Sequence, residues 1–131
     1  MRSERGQAAV EFALVLPILL ILVFGIIDFG RILYTKNALT SLSQVTARHA
    51  SIYYASENDD ALQNYAVNNA GTLDTSSLTG KTITFTPIRD SGSDVKVTLT
   101  YRLYFITPVV NLIPGVANPF YITSTSTFRA E

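Results

Sequence analysis

Apolar residues are concentrated near the N-terminus. The segment AAVEFALVLPILLILVFGII, residues 8–27, contains one charged residue, Glu11. At about 1.5 Å per helical residue, such a segment reaches roughly 30 Å, the thickness of a bilayer core. A signal peptide would instead need a short apolar core followed by a small-residue cleavage site, and residues 28–31, Asp-Phe-Gly-Arg, do not supply one. The pattern predicts a retained transmembrane helix over residues 7–27.

The helical pattern continues beyond the apolar segment. After Asp28, apolar or aromatic residues recur at three-and-four spacing, which is typical of an amphipathic helix. We therefore expect one long helix from about Gln7 to about Tyr54, with Pro17 kinking or loosening its membrane half. The predicted stripe consists of Phe29, Ile32, Leu33, Leu39, Leu42, Val45, His49, Ile52 and Tyr53.

A second, shorter helix is predicted after a polar break. Residues 56–60, Ser-Glu-Asn-Asp-Asp, include good capping residues, and the helical pattern restarts over residues 59–70. The following Thr- and Ser-rich stretch, residues 72–80, is typical of a loop.

From Lys81 onward the period of the pattern changes to two, which indicates strands. Alternation predicts strands at about 82–88, 94–105 and 120–129, and the residues Asp-Ser-Gly-Ser-Asp at 90–94 predict a hairpin turn between the first two. Three strands with one apolar face need a cover. The stripe of the long helix is the expected cover, so the predicted class is α+β.

The segment between the second and third strands, residues 107–119, is apolar and interrupted by prolines. One interpretation buries Val110, Leu112 and Ile113 at the open end of the sheet, and we favour it because apolar loops usually pack on their own domain. The alternative is an exposed patch that contacts a neighbouring subunit or the outer leaflet of the membrane.

Composition excludes several classes of function. Ten basic and ten acidic residues cancel, so no global field attracts nucleic acid. Without cysteine there is no thiol chemistry, and the single histidine, His49, is more simply a packed or hydrogen-bonded residue than a metal ligand. Asp59 and Asp60 suit a helix start, and no nucleophile, base and orienting group occur together. We predict no enzyme activity, metal, cofactor or small-molecule substrate.

Glu11 is the residue that most needs an explanation. A carboxylate inside hydrocarbon costs on the order of 3 kcal/mol unless it is paired. The side chain could reach the cytoplasmic interface and do nothing specific, or it could have a partner. We favour a partner, because Gly6, its spacing from Glu11 and the short charged leader all agree with pairing.

Three separated motifs resemble the TadE-like family, the minor pseudopilins of the tight-adherence (Flp, or type IVc) pilus system. They are Gly-Gln-Ala-Ala-Val-Glu-Phe-Ala at 6–13, Ile-Asp-Phe-Gly-Arg at 27–31 and Thr-Ala-Arg-His-Ala at 46–50. Major Flp pilins usually have tyrosine after the glutamate, whereas this chain has Phe12, as many TadE-like proteins do. The resemblance covers roughly the first fifty residues and implies a pilin-like arrangement, with the long helix packed on a small antiparallel sheet.

The resemblance implies that a prepilin peptidase cuts between Gly6 and Gln7. Residues 1–6 would then be a leader, 7–27 the membrane helix and 28–131 an extracytoplasmic domain. The new amino group on Gln7 would lie about one helical turn from Glu11, so the two could pair within a chain or between chains. Packing with other pilins would involve Glu11, Phe12 and a set of small or special residues, namely Ala8, Ala9, Ala13, Pro17 and Gly25.

The implied function is assembly, by initiating, capping or anchoring the pilus. The implied partners are the prepilin peptidase, the major pilin, a second minor pseudopilin and the inner-membrane assembly platform. Basic residues flank the span on both sides, and the short leader favours a cytoplasmic N-terminus in the inner membrane. The alternative function is a signal-anchored binding module that is neither processed nor assembled.

Overall fold

A computed structural model describes residues 2–131 of the chain. Its first element, helix α1, runs from Arg2 to Tyr53 and contains 52 residues. At about 1.5 Å per residue this helix is roughly 78 Å long. It remains helical through Pro17, so the expected disturbance at this proline does not interrupt it. The prediction of a single long helix is confirmed, although the helix begins before Gln7.

Helix α2 covers Asp59–Asn68, slightly less than the predicted 59–70. Its N-cap is Asn58, whose side chain accepts a hydrogen bond from the backbone N–H of Ala61 at 2.8 Å. Asp59 lies in the first turn, where a negative charge favours the helix dipole. Its carboxylate pairs with Arg89, which also donates to the backbone oxygen of Tyr54 at 2.6 Å. Arg89 thus joins the ends of the two helices.

The sheet has three antiparallel strands in the order β1-β2-β3: β1 Leu78–Thr86, β2 Asp94–Leu103 and β3 Phe120–Arg129. The predicted loop at 72–80 is wrong at its end, because a short 3-10 turn at Thr75–Ser77 leads directly into β1. A bulge follows Leu78, and Gly80 sits so close to Thr100 that an added Cβ would lie 3.0 Å from its Cβ. Strand β1 therefore begins at Leu78, three residues before the alternation of apolar and polar residues begins at Lys81.

Strands β1 and β2 also end two residues earlier than predicted. β1 stops at Thr86, because Pro87 has no N–H to donate to a ladder. β2 stops at Leu103, because the next backbone donors turn away from β1 and β3. Phe105 N–H donates to the Asn118 side chain, and those of residues 106 and 107 donate to Asp28.

One face of the sheet packs on the second half of α1 and on α2. This confirms the α+β prediction: a long helix covers a three-stranded antiparallel sheet, with a short second helix beside it. The fully buried residues at its centre are Leu39, Ala47, Ala50, Leu62, Ala66, Val95, Val97 and Leu99.

The face of α1 that meets the sheet is more polar than predicted. Of the predicted stripe, Leu39 and Leu42 are buried and Ile32 and His49 are half-buried, with Ile32 packed against the core. The remaining members are largely exposed, namely Phe29, Leu33, Val45, Ile52 and Tyr53. Small and hydroxyl side chains take their place, including Thr35, Ser43, Thr46 and Ser51. The reason is that β3 presents Ser124 and Ser126 to the helix, and the hydroxyl groups of Ser43 and Ser126 lie 2.7 Å apart.

The loop after β2 also differs from the favoured interpretation. It contains a short 3-10 helix, Pro108–Leu112, and its side chains mostly face outward. Val110 is half-buried, but Leu112 is 79% and Ile113 49% exposed, so the prediction that all three are buried is wrong. Phe120 packs against the core at this end of the sheet and its ring contacts that of Phe105, with 5.8 Å between centroids. Phe120 therefore covers the core at this end of the sheet, and the loop after β2 is not needed to cover it.

Candidate membrane-anchoring and assembly site

The N-terminal half of α1 presents its side chains outward on all sides. Every residue from Glu4 to Ile27 is exposed. This helix is long and apolar enough to cross a membrane, and none of its most apolar window is buried in the protein. Between residues 7 and 27 its only charged side chain is that of Glu11. An apolar cylinder of this kind needs lipid or other helices around it.

The helical period arranges the predicted assembly residues in three adjacent rows. Residues four apart lie on the same side of a helix, one turn above each other. Gln7 and Glu11 form one row, and Gly25, eighteen residues or five turns beyond Gln7, returns to the same side. Ala8 and Phe12 form the second row. The third row consists of Ala9, Ala13 and Pro17, three residues with short side chains.

A second group of polar contacts lies where the apolar segment ends. The carboxylate of Asp28 is only 4% exposed and accepts hydrogen bonds from the loop after β2. Its donors are the backbone N–H of Ile106 at 3.0 Å, the backbone N–H of Thr107 at 2.9 Å and the Thr107 hydroxyl at 2.7 Å. Charged acceptors make the stronger class of hydrogen bond. The start of the loop is therefore fixed to α1 immediately after the span.

Arg31 completes this group. Its guanidinium donates to Asp28 at 3.3 Å and to the backbone oxygen of Tyr104 at 3.0 Å. Burial by itself raises the pKa of Asp28, but the hydrogen bonds from Ile106, Thr107 and Arg31 outweigh it and hold the pKa below its ordinary value. Asp28 is thus a carboxylate whose charged form is favoured by the loop that it holds.

The sequence prediction did not assign this role to Asp28. The residue was recognised only as the end of the apolar segment and as part of the Ile-Asp-Phe-Gly-Arg motif. Its partners Ile106 and Thr107 are almost eighty positions away. The available signal was a charged residue at the boundary of a span followed three residues later by Arg31, a spacing that brings both to one side of a helix.

His49 is a packed residue, as predicted. Its ring stacks on that of Tyr65 from α2, with 3.7 Å between centroids, and on that of Tyr53 at 4.5 Å. Its Nε2 lies 2.9 Å from a carboxylate oxygen of Glu57. Among residues 2–131 no group of three or more metal-ligating side chains comes together. The histidine therefore serves the contact between α1 and α2.

An edge strand of a sheet can accept a further strand from a partner. The strand order does put β3 at an edge of the sheet. However, Lys36 of α1 donates to the backbone oxygen of Thr123 in this strand. A lysine at a sheet edge disfavours pairing with another chain.

The fold and the site together fit a single-pass membrane anchor that carries a C-terminal α+β domain. Residues 6–48 match the model of the TadE-like protein family, which confirms the resemblance of the three motifs to that family. The match begins at the predicted cleavage glycine and includes Glu11, Asp28 and Arg31. It points to a protein associated with the Tad pilus, and this family is not a known enzyme family. No curated protein and no solved structure shows significant similarity to the chain.

Proposed function

We propose that the protein is a minor pseudopilin of a tight-adherence Flp (type IVc) pilus, inserted in the inner membrane with its N-terminus in the cytoplasm. One observation carries the proposal. The TadE-like match starts at Gly6 and continues into a helix whose apolar half is exposed on every side and holds a single carboxylate, Glu11. Such a helix suits a subunit that contacts lipid while it is in the membrane and contacts other helices once it is in the pilus.

Processing is the first step of this proposal. Residues 1–6 form the leader, and a prepilin peptidase cleaves the bond between Gly6 and Gln7. The cleavage creates a positive α-amino group on Gln7, on the same side of α1 as Glu11 and one turn away. Pairing these opposite charges, within one chain or between neighbours, offsets the cost of keeping each in an apolar surrounding.

Assembly is the second step. The row of Ala9, Ala13 and Pro17 lets another helix approach closely, as small residues do in membrane helix packing. The neighbouring helices belong to the major pilin, to a second minor pseudopilin or to the assembly platform in the inner membrane. The domain over residues 28–131 then projects from the extracytoplasmic side and initiates, caps or anchors the fibre.

The test is the intact mass and the N-terminal sequence of the protein isolated from membranes, with and without a co-expressed prepilin peptidase. We expect a chain that starts at Gln7 only when the peptidase is present. The variant Gly6→Leu should remain unprocessed, because the bulky side chain alters the cleavage site. Gly30→Leu is the matched control: Gly30 is exposed on the same helix, an added Cβ would meet nothing within 4 Å, and processing should be normal.

The opposite result supports the signal-anchored binding module. An N-terminus that remains at Met1 or Arg2 in the native host, with Gly6→Leu behaving like the unaltered protein, would overturn the pseudopilin proposal. The membrane anchor itself would be unaffected by that result.

A further inference from the structure

The loop from Tyr104 to Pro119, here the boundary loop, exposes an apolar surface that the assembly proposal does not use. Its outward-facing apolar or aromatic side chains are Tyr104, Ile106, Leu112, Ile113 and Val116. An exposed patch of this kind on a protein marks a site of interaction with a partner or a membrane. The position of the loop along α1 decides between these possibilities.

Asp28 fixes the position of the boundary loop along α1, and therefore its distance from the hydrocarbon core of the membrane. It is the first residue after the apolar segment 7–27, so it lies where the helix leaves the hydrocarbon. The backbone groups of Ile106 and Thr107 donate directly to its carboxylate. Arg31, one turn further along the helix, holds the Tyr104 oxygen. The loop therefore runs beside α1 at the level of the lipid headgroups.

The composition of the boundary loop suits that level. The chain has no charged residue between Arg102 and Arg129. Basic and acidic side chains are the ones that cost most when they enter a bilayer. The exposed Phe29 on α1 and Tyr104 on the loop add aromatic rings at the same height, and aromatic residues are enriched at membrane interfaces.

Part of the backbone of the boundary loop is also satisfied without water. Pro108, Pro114 and Pro119 have no N–H to satisfy. Other donors find partners inside the protein: Val110 N–H bonds to the Thr107 oxygen, Ile113 N–H to the Val110 oxygen and Val116 N–H to the Ile113 oxygen. Internal hydrogen bonds reduce the cost of placing backbone near lipid.

We infer that the boundary loop is a second membrane contact, with Leu112 and Ile113 inserted among the headgroups and upper acyl chains of the leaflet that α1 crosses next to the domain. The occupant of this surface is lipid, because any state in which α1 spans a bilayer brings the loop against that bilayer. The inference rests on the membrane anchor and not on processing or assembly.

Such a contact orients the domain. The hairpin turn between β1 and β2 lies at the far end of α1, where Arg89 contacts the Tyr54 oxygen. The twenty-six helical residues from Asp28 to Tyr53 correspond to about 39 Å. Two anchoring points, the span and the boundary loop, would hold the sheet upright with this turn pointing away from the membrane.

The experiment uses single tryptophans, since the chain has none of its own. Leu112→Trp reports on the loop, and Ile88→Trp, on an aliphatic residue that is 63% exposed in the β1–β2 turn, is the matched control. Leu20→Trp reports on the span. Each full-length variant is reconstituted in phosphatidylcholine vesicles, and the emission maximum and its quenching by lipids brominated at shallow or deep acyl positions are measured.

We expect shallow bromines to quench Leu112→Trp at least about twofold more strongly than Ile88→Trp, with a blue-shifted emission at every protein-to-lipid ratio, because interfacial side chains insert about 5–10 Å. Leu20→Trp should be quenched most strongly by deep bromines. Ile113→Trp should repeat the Leu112→Trp result.

Two outcomes would overturn the inference. Emission from Leu112→Trp that matches that of Ile88→Trp would place the loop in water. A blue shift that grows with protein density and is insensitive to bromine would assign the surface to contacts between copies of the chain. If Leu20→Trp were not quenched either, the membrane anchor itself would be wrong, a failure distinct from that of the loop.

Discussion

Asp28 shows how one side chain can determine where a loop lies. Its carboxylate accepts from two successive backbone N–H groups and a hydroxyl of the loop, and it is almost completely buried by them. A buried acceptor with several donors is costly to remove, because each donor then loses its partner away from water. Asp28 is therefore the residue on which the position of the boundary loop depends.

We predict that Asp28→Asn releases this loop. The amide has only one acceptor oxygen and introduces two donors that face the Thr107 donors, at a cost of about 1–3 kcal/mol. Hydrogen exchange of the Ile106 and Thr107 amides in detergent micelles should accelerate by about fivefold to a hundredfold, since each 1.4 kcal/mol is a factor of ten in an opening equilibrium.

The control for this prediction is Asp90→Asn. Asp90 is exposed, and its carboxylate accepts from the N–H of its neighbour Ser91 at 2.7 Å. Its substitution should leave exchange at Ile106 and Thr107 unchanged. Equal exchange in Asp28→Asn and in the unaltered protein would show that the loop is held by other contacts.

The same residue gives a pH dependence with a definite sign. The folded-state pKa of Asp28 lies below the ordinary value of 3.8, because the donors from the loop favour the carboxylate. Its contribution to stability is therefore fully present above about pH 4 and is lost as the pH falls through the lower folded-state pKa. The Thr107 amide chemical shift should titrate with a midpoint below 3.8, and Asp28→Asn should abolish this titration. A midpoint above 3.8 would contradict the assignment.

At the scale of elements, the contact between α1 and β3 is a hydroxyl network. Ser43 donates to the Thr40 backbone oxygen at 2.8 Å, so the Ser126 hydroxyl, 2.7 Å away, donates to Ser43. Ser124 donates to the Thr40 hydroxyl at 3.0 Å. Small side chains allow the helix and the strand to approach, and satisfied hydroxyl groups make this approach tolerable in a buried place.

We predict that Ser43 and Ser126 are energetically coupled. Ser43→Ala leaves the buried Ser126 hydroxyl without an acceptor and should cost about 1–3 kcal/mol, whereas adding Ser126→Ala should cost little more. Denaturant unfolding of the full-length protein in detergent gives the double-mutant cycle. Ser41→Ala provides the comparison, since Ser41 is exposed two positions away and its effect should add to that of Ser126→Ala. Additive effects of Ser43→Ala and Ser126→Ala would contradict the coupling.

This contact also explains what the sequence could and could not predict. Periodicity placed the helices and strands well, because the apolar positions Val95, Val97 and Leu99 alternate clearly. It misjudged the face of α1, because a rule that rewards large apolar residues gives no weight to Ser43 or Ser126. Which hydroxyl groups meet is decided by pairs that are more than eighty residues apart.

In the candidate site, too, roles that depend on neighbouring residues could be predicted from the sequence, and roles that depend on distant contacts could not. The roles of Gly6, Gln7 and Glu11 are implied by the TadE-like resemblance and stay predictions; a motif could carry them because all three residues lie within two turns of one helix. The role of Asp28 was missed, because it depends on a loop from the opposite end of the chain. The preference for burying Leu112 and Ile113 was wrong, because Phe120 already covers the end of the sheet.

At the scale of the whole molecule, the proposal makes Glu11 important only in the assembled state. In host cells, Glu11→Gln should leave membrane insertion and cleavage after Gly6 intact and abolish piliation, since the neutral amide cannot balance the Gln7 amino group. Surface pili counted by electron microscopy and the protein level in the membrane fraction provide the two measurements. Val10→Ala, beside Glu11 on the helix, should be piliated normally. Normal piliation in Glu11→Gln would contradict the pairing.

The unbroken course of α1 has a geometric consequence. Because the helix continues from Arg2 to Tyr53, the membrane half and the domain cannot rotate independently about its axis. Asp28 lies seventeen positions after Glu11, and at about 100° per residue the directions of the two side chains differ by roughly a quarter of a turn. A neighbour that binds beside Glu11 would thus always meet the domain at the same azimuth, about 100° around the axis from the boundary loop. The number of helical residues between the carboxylates of Glu11 and Asp28 would then determine the direction in which successive subunits are added around a fibre.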